Sequence, residues 1–190
     1  FTDIVGYTAL MGDDERKAFD FRDKNRQLQK QVLEEFNGRF IKELGDGILS
    51  SFQSVSDAVH AAIKIQEGAE GFQLRIGIHL GEVIFEDNDV FGDGVNIASR
   101  LQAAAEPGAI YISDVVFHNV SNKKGINTRF VKEDHLKNVK QPVKIYEVEY
   151  KKNKTTNGAT KIVSPKSIAV LPFVNMSNDP EQEYFCDGIS

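Results

Sequence analysis

The chain has 190 residues, of which 41% are hydrophobic and 27% charged, and a formal net charge of −5. That balance suits a soluble globular protein with one well-cored domain and part of a second, and its acidity argues against a nucleic-acid-binding surface. The lone Cys186 excludes an internal disulfide framework and fits a reducing compartment; no apolar run approaches the roughly 18 residues that span a bilayer, and no signal peptide is visible.

In chain order, Phe1 to Val5 is a short apolar run closed by Gly6. It reads as the second half of a buried strand, so the natural N-terminus is expected upstream. Asp13 and Asp14 open a long helix in which Ala18, Phe21, Leu28, Val32 and Phe36 recur at helical spacing, and Asn37-Gly38 stops it. Arg39 to Leu44 and Ile48 to Phe52 read as strands joined by Gly45-Asp46-Gly47, a hairpin with an acidic tip. Ser54 or Ser56 caps a second helix with a core stripe of Val55, Val59, Ala62 and Ile63. Strands follow at Leu74 to Leu80 and Glu82 to Phe85, then an acidic loop, Glu86 to Asp89, and a helix from Gly94 to Ala105.

After the breaker Pro107-Gly108, Ala109 to Ile112 is a strand and Asp114 to Val120 a short helix; Thr128 to Val131 and Ile145 to Tyr150 are late strands. The order predicts an α+β fold: a ferredoxin-like βαββαβ core with extra C-terminal strands, its helices on one face of a mainly antiparallel sheet. Residues 151–166 are polar, contain Asn157-Gly158 and Pro165, and read as a linker. Ser167 to Phe173 resumes as a strand and begins a second domain.

Three residue pairs carry the candidate chemistry. Asp3 lies at the end of one strand and Asp46 at the hairpin tip; if those strands are neighbours, the two carboxylates meet at one end of the sheet. Paired carboxylates suit hard cations such as Mg²⁺, although a GDG tip is also simply a good turn. Asn96 and Arg100 stand four residues apart and project from one helix face, where an amide and a guanidinium can orient a ribose and neutralise a phosphate. The alternative is a solvated helix face. Lys42 and Asp89 can read adenine, by donating to a ring nitrogen and accepting from the exocyclic amine, or form a surface ion pair. His79, in an apolar strand without Cys or His partners at metal spacing, reads as a packed histidine, and zinc is not expected.

FTDIVGYT (Phe1 to Thr8), KELGDG (Lys42 to Gly47) and DVFGDGVNIASR (Asp89 to Arg100) resemble, in order, the catalytic domain of class III nucleotidyl cyclases over about Phe1 to Tyr150. The resemblance implies that Asp3 and Asp46 hold two Mg²⁺ or Mn²⁺ ions, with the Ile4 carbonyl as a further ligand. It places Lys42 and Asp89 where the family selects the purine, in the adenylyl combination. Asn96 would position the ribose and Arg100 stabilise the transition state. Lys140 is the choice for a late lysine on the triphosphate, with Lys137 as its rival.

The implied reaction is attack of the ribose 3′-hydroxyl of ATP on the α-phosphorus, giving cyclic AMP and pyrophosphate. No side-chain general base is evident, so metal or solvent takes the proton. The family works as head-to-tail homodimers with shared sites, in which metal and purine-reading residues come from one subunit and Asn and Arg from the other. The tail SIAVLPFVNMSNDPEQEYFCDGIS resembles the start of a TolB-like segment, which implies a larger bacterial, cytoplasmic regulator that makes no membrane contact through this region. A catalytically degenerate, dimerising or nucleotide-sensing cyclase-like module is the alternative. An RNA-binding domain of similar topology lacks support in the composition, and no diguanylate-cyclase GGDEF string occurs.

Overall fold

The computed structural model describes residues 1–86, 89–137, 139 and 141–151. The expected linker beyond Lys151, the strand at 167–173, the TolB-like tail and Lys140 lie outside the described residues.

Seven strands form the main sheet: β1 (Thr2–Ile4), β2 (Arg39–Leu44), β3 (Gly47–Ser51), β4 (Leu74–Ile78), β7 (Ile110–Ser113), β8 (Asn127–Asp134) and β9 (Val143–Glu149). Their order is β2-β3-β1-β4-β7-β9-β8, with β5 (Ile84–Glu86) and β6 (Asp89–Phe91) pairing separately as a two-stranded arm. All pairings in the main sheet are antiparallel except β4–β7, as the sequence pattern predicts for the class. The helices are α1 (Tyr7–Asp13), α2 (Glu15–Glu35), α3 (Val55–Gly68), α4 (Asp93–Ala104) and α5 (Asp114–Val120).

Three differences from the sequence expectation have physical causes. The long helix opens as expected at Asp14, whose side chain accepts from the Lys17 amide and caps α2, but a separate short helix, α1, precedes it. The buried positions of α2 are Ala18, Asn25, Gln29, Val32 and Leu33, so two amides occupy the stripe where Phe21 and Leu28 were expected. They are buried because they are bonded: Gln29 Nε2 donates to Thr2 Oγ1 at 2.9 Å and to Asn25 Oδ1 at 2.8 Å. Asn37, at φ 53°, then ends the helix in the left-handed conformation, and the Gly38 amide donates back to the Leu33 carbonyl at 2.7 Å.

The third difference concerns α4. Helices α2, α3 and α5 pack on one sheet face through a core that includes Val32, Val59, Ile76, Ile112 and Val116. On the other face, Leu101 of α4 packs with Tyr111, Val143 and Ile145. β7 is buried on both sides, Ile110 and Ile112 in the main core and Tyr111 with α4, and β4 presents Gly77 to α4, so the helices do not share one face. Gly77 sets the approach of α4: an added Cβ would lie 2.3 Å from the Ala98 carbonyl oxygen and from the Gln102 nitrogen. Gly77→Ala should therefore cost about 1–3 kcal/mol of unfolding free energy, measurable by urea titration. An unchanged midpoint would mean that α4 docks less tightly than this contact requires.

Candidate active site

The sheet order brings the acidic residues together. β1 lies between β3 and β4, so Asp3 stands beside the turn that carries Asp46. Gly47 lets the hairpin close against β1, since a Cβ there would lie 2.6 Å from the Thr2 carbonyl oxygen. The Ile4 amide donates to Asp46 Oδ2 at 2.8 Å. Arg75, directly opposite Asp3 in the β1–β4 register, pairs with Asp3 Oδ2. Burial pushes the Asp46 carboxyl up, the Ile4 amide pulls it down, and the charge of neighbouring Asp3 pushes it up again. Two carboxyl groups are thus held together with one oxygen of each fixed by a donor. A divalent cation would relieve their repulsion and find hard oxygen ligands in place, so the donor set fits Mg²⁺ or Mn²⁺. Among the described residues no cluster of three or more His, Cys, Asp or Glu side chains adds to the pair.

Side-chain alternation places Asp3 on the α4 face of the sheet, because its neighbours Thr2 and Ile4 point the other way, into the contacts made by α2 and the main core. Lys42 shares that face: the adjacent Glu43 points back to α2, where Arg26 binds it. Lys42 Nζ donates to Asp89 Oδ2 at 2.6 Å, and the Val90 amide donates to Asp89 Oδ1 at 2.6 Å. The Lys42 hydrogen bond, backed by the Val90 amide, holds the Asp89 carboxyl below its usual range and keeps it ionised. Asp89 was expected to end a loop; it opens β6, and the arm thereby lies against β2.

Asn96 and Arg100 do share one face of α4, with Asn96 exposed and Arg100 half-buried. No hydrogen bond or ion pair joins either side chain to Asp3, Asp46, Lys42 or Asp89. Arg100 Nε is buried without a hydrogen-bond partner among the described residues, as are Arg75 Nε, Arg22 Nε and Gln29 Oε1.

His79 behaves as a packed residue: its Nδ1 is 2.8 Å from the buried Ser113 hydroxyl, and burial pushes the imidazole down. A cavity of about 190 Å³ at the opposite end of β1 is lined by Ser50, His79 and Val95 among others, and by none of the described candidate residues. Lys137 is exposed in the turn after Leu136. Arg75 is the site residue that motif reading misses. Its signal was present, a single arginine in the apolar run Leu74–Ile78, but its meaning depends on the pairing with Asp3.

Comparison with known proteins follows the same lines. The family model for the adenylate and guanylate cyclase catalytic domain matches residues 1–150. The putative adenylate cyclase 3 of Rhizobium meliloti (strain 1021) is 36% identical over 208 residues, covering 99% of this chain and 35% of that protein. The adenylate cyclase of Anabaena cylindrica is 28% identical over 179 residues, 78% of this chain and 36% of its own length. The chain therefore spans about a third of these relatives. The crystal structure of an adenylate/guanylate cyclase/hydrolase from Silicibacter pomeroyi superposes with a TM-score of 0.67 at 31% identity, over 77% of this chain and 92% of that one. The adenylyl cyclase CyaB from P. aeruginosa shares the fold, with a TM-score of 0.69 at 23% identity over 80% and 92%. By the match of its first 150 residues, this chain belongs to the adenylate and guanylate cyclase catalytic domain family.

Proposed function

We propose that the chain is an adenylate cyclase catalytic domain, converting ATP to 3′,5′-cyclic AMP and pyrophosphate. The observation that carries this reading is the Asp3–Asp46 pair, fixed by Arg75 and the Ile4 amide on the face that also presents Lys42 and Asp89. Asp3 and Asp46 would hold two Mg²⁺ or Mn²⁺ ions, with the Ile4 carbonyl as a further ligand. The ions would supply charge neutralisation for the triphosphate and a lowered pKa for the ribose 3′-hydroxyl. The 3′-oxygen forms a bond to the α-phosphorus while the bond to the pyrophosphate oxygen breaks, and the hydroxyl proton passes to solvent. Arg75 stands beside Asp3 as a cation for the phosphate chain. The orphaned Arg100 donor serves the charge that develops on the α-phosphoryl oxygens, and Asn96 holds the ribose. Lys140 is retained as the late lysine on the triphosphate.

Lys42 and Asp89 provide the base preference. Adenine presents a ring acceptor beside an exocyclic amine, matching a lysine donor beside a carboxylate. Guanine presents a ring N–H to the lysine and a carbonyl oxygen to the carboxylate, so both contacts turn repulsive. In the free protein each satisfies the other at 2.6 Å, which sets their spacing before the base arrives. ATP turnover by the purified chain with Mn²⁺ or Mg²⁺ should exceed GTP turnover by about ten- to hundredfold, the scale of one to two base contacts. Equal rates, or a preference for GTP, would overturn the assignment.

A head-to-tail homodimer completes the reading. The β5–β6 arm leaves Ile84 69%, Phe85 49% and Phe91 51% exposed, an apolar surface that a second copy would cover. With Asn96 and Arg100 unjoined to the acidic pair inside one chain, each site would take its acidic pair from one protomer and its α4 residues from the other. Residues 1–150 form the catalytic domain in this reading, followed by the linker and a TolB-like segment. No described helix is long and apolar enough to cross a membrane; a bacterial, cytoplasmic setting is part of the same proposal.

A further inference from the structure

The acidic turn has little packing of its own: Leu44 is 45% exposed, Gly45 is exposed, and no apolar side chain of the tip is buried. Besides the Ile4 amide and the close approach of Gly47 to β1, it is held from α2, on the sheet face opposite the candidate site. Arg26 grips Glu43 with two donors, Nε on Oε1 and Nη2 on Oε2 at 2.7 Å, while its Nη1 is anchored to Asp23 at 3.0 Å. One residue earlier, the fully buried Asn25 directs its Nδ2 at the Asp46 carbonyl oxygen, 3.5 Å away. One turn later, Gln29 bonds Thr2, whose hydroxyl accepts from the Ile48 amide just past the tip at 3.3 Å. One helix thus holds both strands of the hairpin and β1 at once.

We infer that Arg26 is a positioning residue for the acidic site, acting through Glu43 to fix where the Asp46 turn stands relative to Asp3. A planar fork on a carboxylate fixes orientation as well as distance, which a single bond does not. Glu43 lies between Lys42, on the base-reading face, and the tip three residues on, so a released Glu43 loosens both ends of the hairpin. A site held by supporting contacts loses affinity when they go, even with every ligand present. The inference rests on the reading of Asp46 as a metal ligand.

The test uses the full chain with Glu43→Gln, Arg26→Gln, Asp46→Asn and a control, Arg129→Gln, which breaks the exposed Arg129–Glu147 pair between β8 and β9. Mn²⁺ binding is followed by electron paramagnetic resonance, and kcat and KM for Mn·ATP are measured separately. Glu43→Gln and Arg26→Gln should bind Mn²⁺ about tenfold more weakly, with KM rising more than kcat falls, while Arg129→Gln binds as the parent does. Parent-like Mn²⁺ binding by both clamp variants, or equal weakening in the control, overturns the inference. Asp46→Asn separates the two levels. If it loses Mn²⁺ while the clamp variants do not, only the clamp falls; if it binds Mn²⁺ normally, the metal reading falls and the clamp with it. Glu43→Gln is isosteric and on a half-buried side chain, so the test does not depend on Arg26→Gln folding.

Discussion

Asp46→Asn should lower cyclase activity by at least about a hundredfold while leaving the fold intact or more stable. The two halves of that outcome have one cause. The turn is built so that Asp46 pays for its charge: burial and Asp3 both push its carboxyl up, and only part of that is offset by the Ile4 amide. An acid whose folded pKa is raised costs stability as pH rises above its unfolded value, so at neutral pH the ionised carboxylate is a burden on the metal-free fold. Asparagine keeps an oxygen for the Ile4 amide and removes the repulsion from Asp3. It also removes a ligand. Thermal unfolding should then show an equal or higher midpoint for the variant without metal, and a smaller rise on adding Mn²⁺ than the parent shows. A variant that unfolds at lower temperature and responds normally to Mn²⁺ would assign Asp46 to the architecture of the turn and sink its role as a ligand.

The sequence motifs locate this pair because a Gly-Asp-Gly tip and an aspartate in a short apolar run are local features. What makes them one site is not local. Asp3 meets Asp46 because β1 inserts between β3 and β4, a pairing that no window of sequence contains. Arg75 stands out as a lone arginine in an apolar run, but its role is unreadable for the same reason, since its partner lies 72 residues away. Helix α1 escapes notice because it is only seven residues long, with Gly12 inside it, and its Tyr7, Leu10 and Met11 are only half-buried. Asn25 and Gln29 go unread by the opposite effect: amides do not stand out as core residues until Thr2 and the Asp46 carbonyl supply their partners. The central strands predict burial but not on how many sides, so α4 was expected beside the other helices and instead covers the face that Gly77 leaves open. Lys42 and Asp89 allow two readings, adenine contacts or a surface ion pair, and in the free protein they form the ion pair.

Arg100→Ala should also be nearly inactive, with a loss of about 10²–10³-fold in kcat for removing a charged donor from the transition state. Its informative property appears on mixing. If each site takes Asp46 from one protomer and Arg100 from the other, a dimer of Asp46→Ala with Arg100→Ala has one site with both lesions and one with neither. Random exchange makes half the dimers mixed, each with one sound site of two, so activity should recover to about a quarter of the parent's. A site contained within one chain predicts no recovery at any ratio, because every chain carries a lesion. The geometry favours the first outcome: no hydrogen bond or ion pair links Asn96 or Arg100 to Asp3 or Asp46 within the chain. Recovery should depend on protein concentration, rising as the mixed dimer forms, and should saturate near the quarter rather than the half that independent repair of both sites would give. Folded, dimeric variants that fail to complement would rule out the shared site and return Arg100 to its own chain's acidic pair.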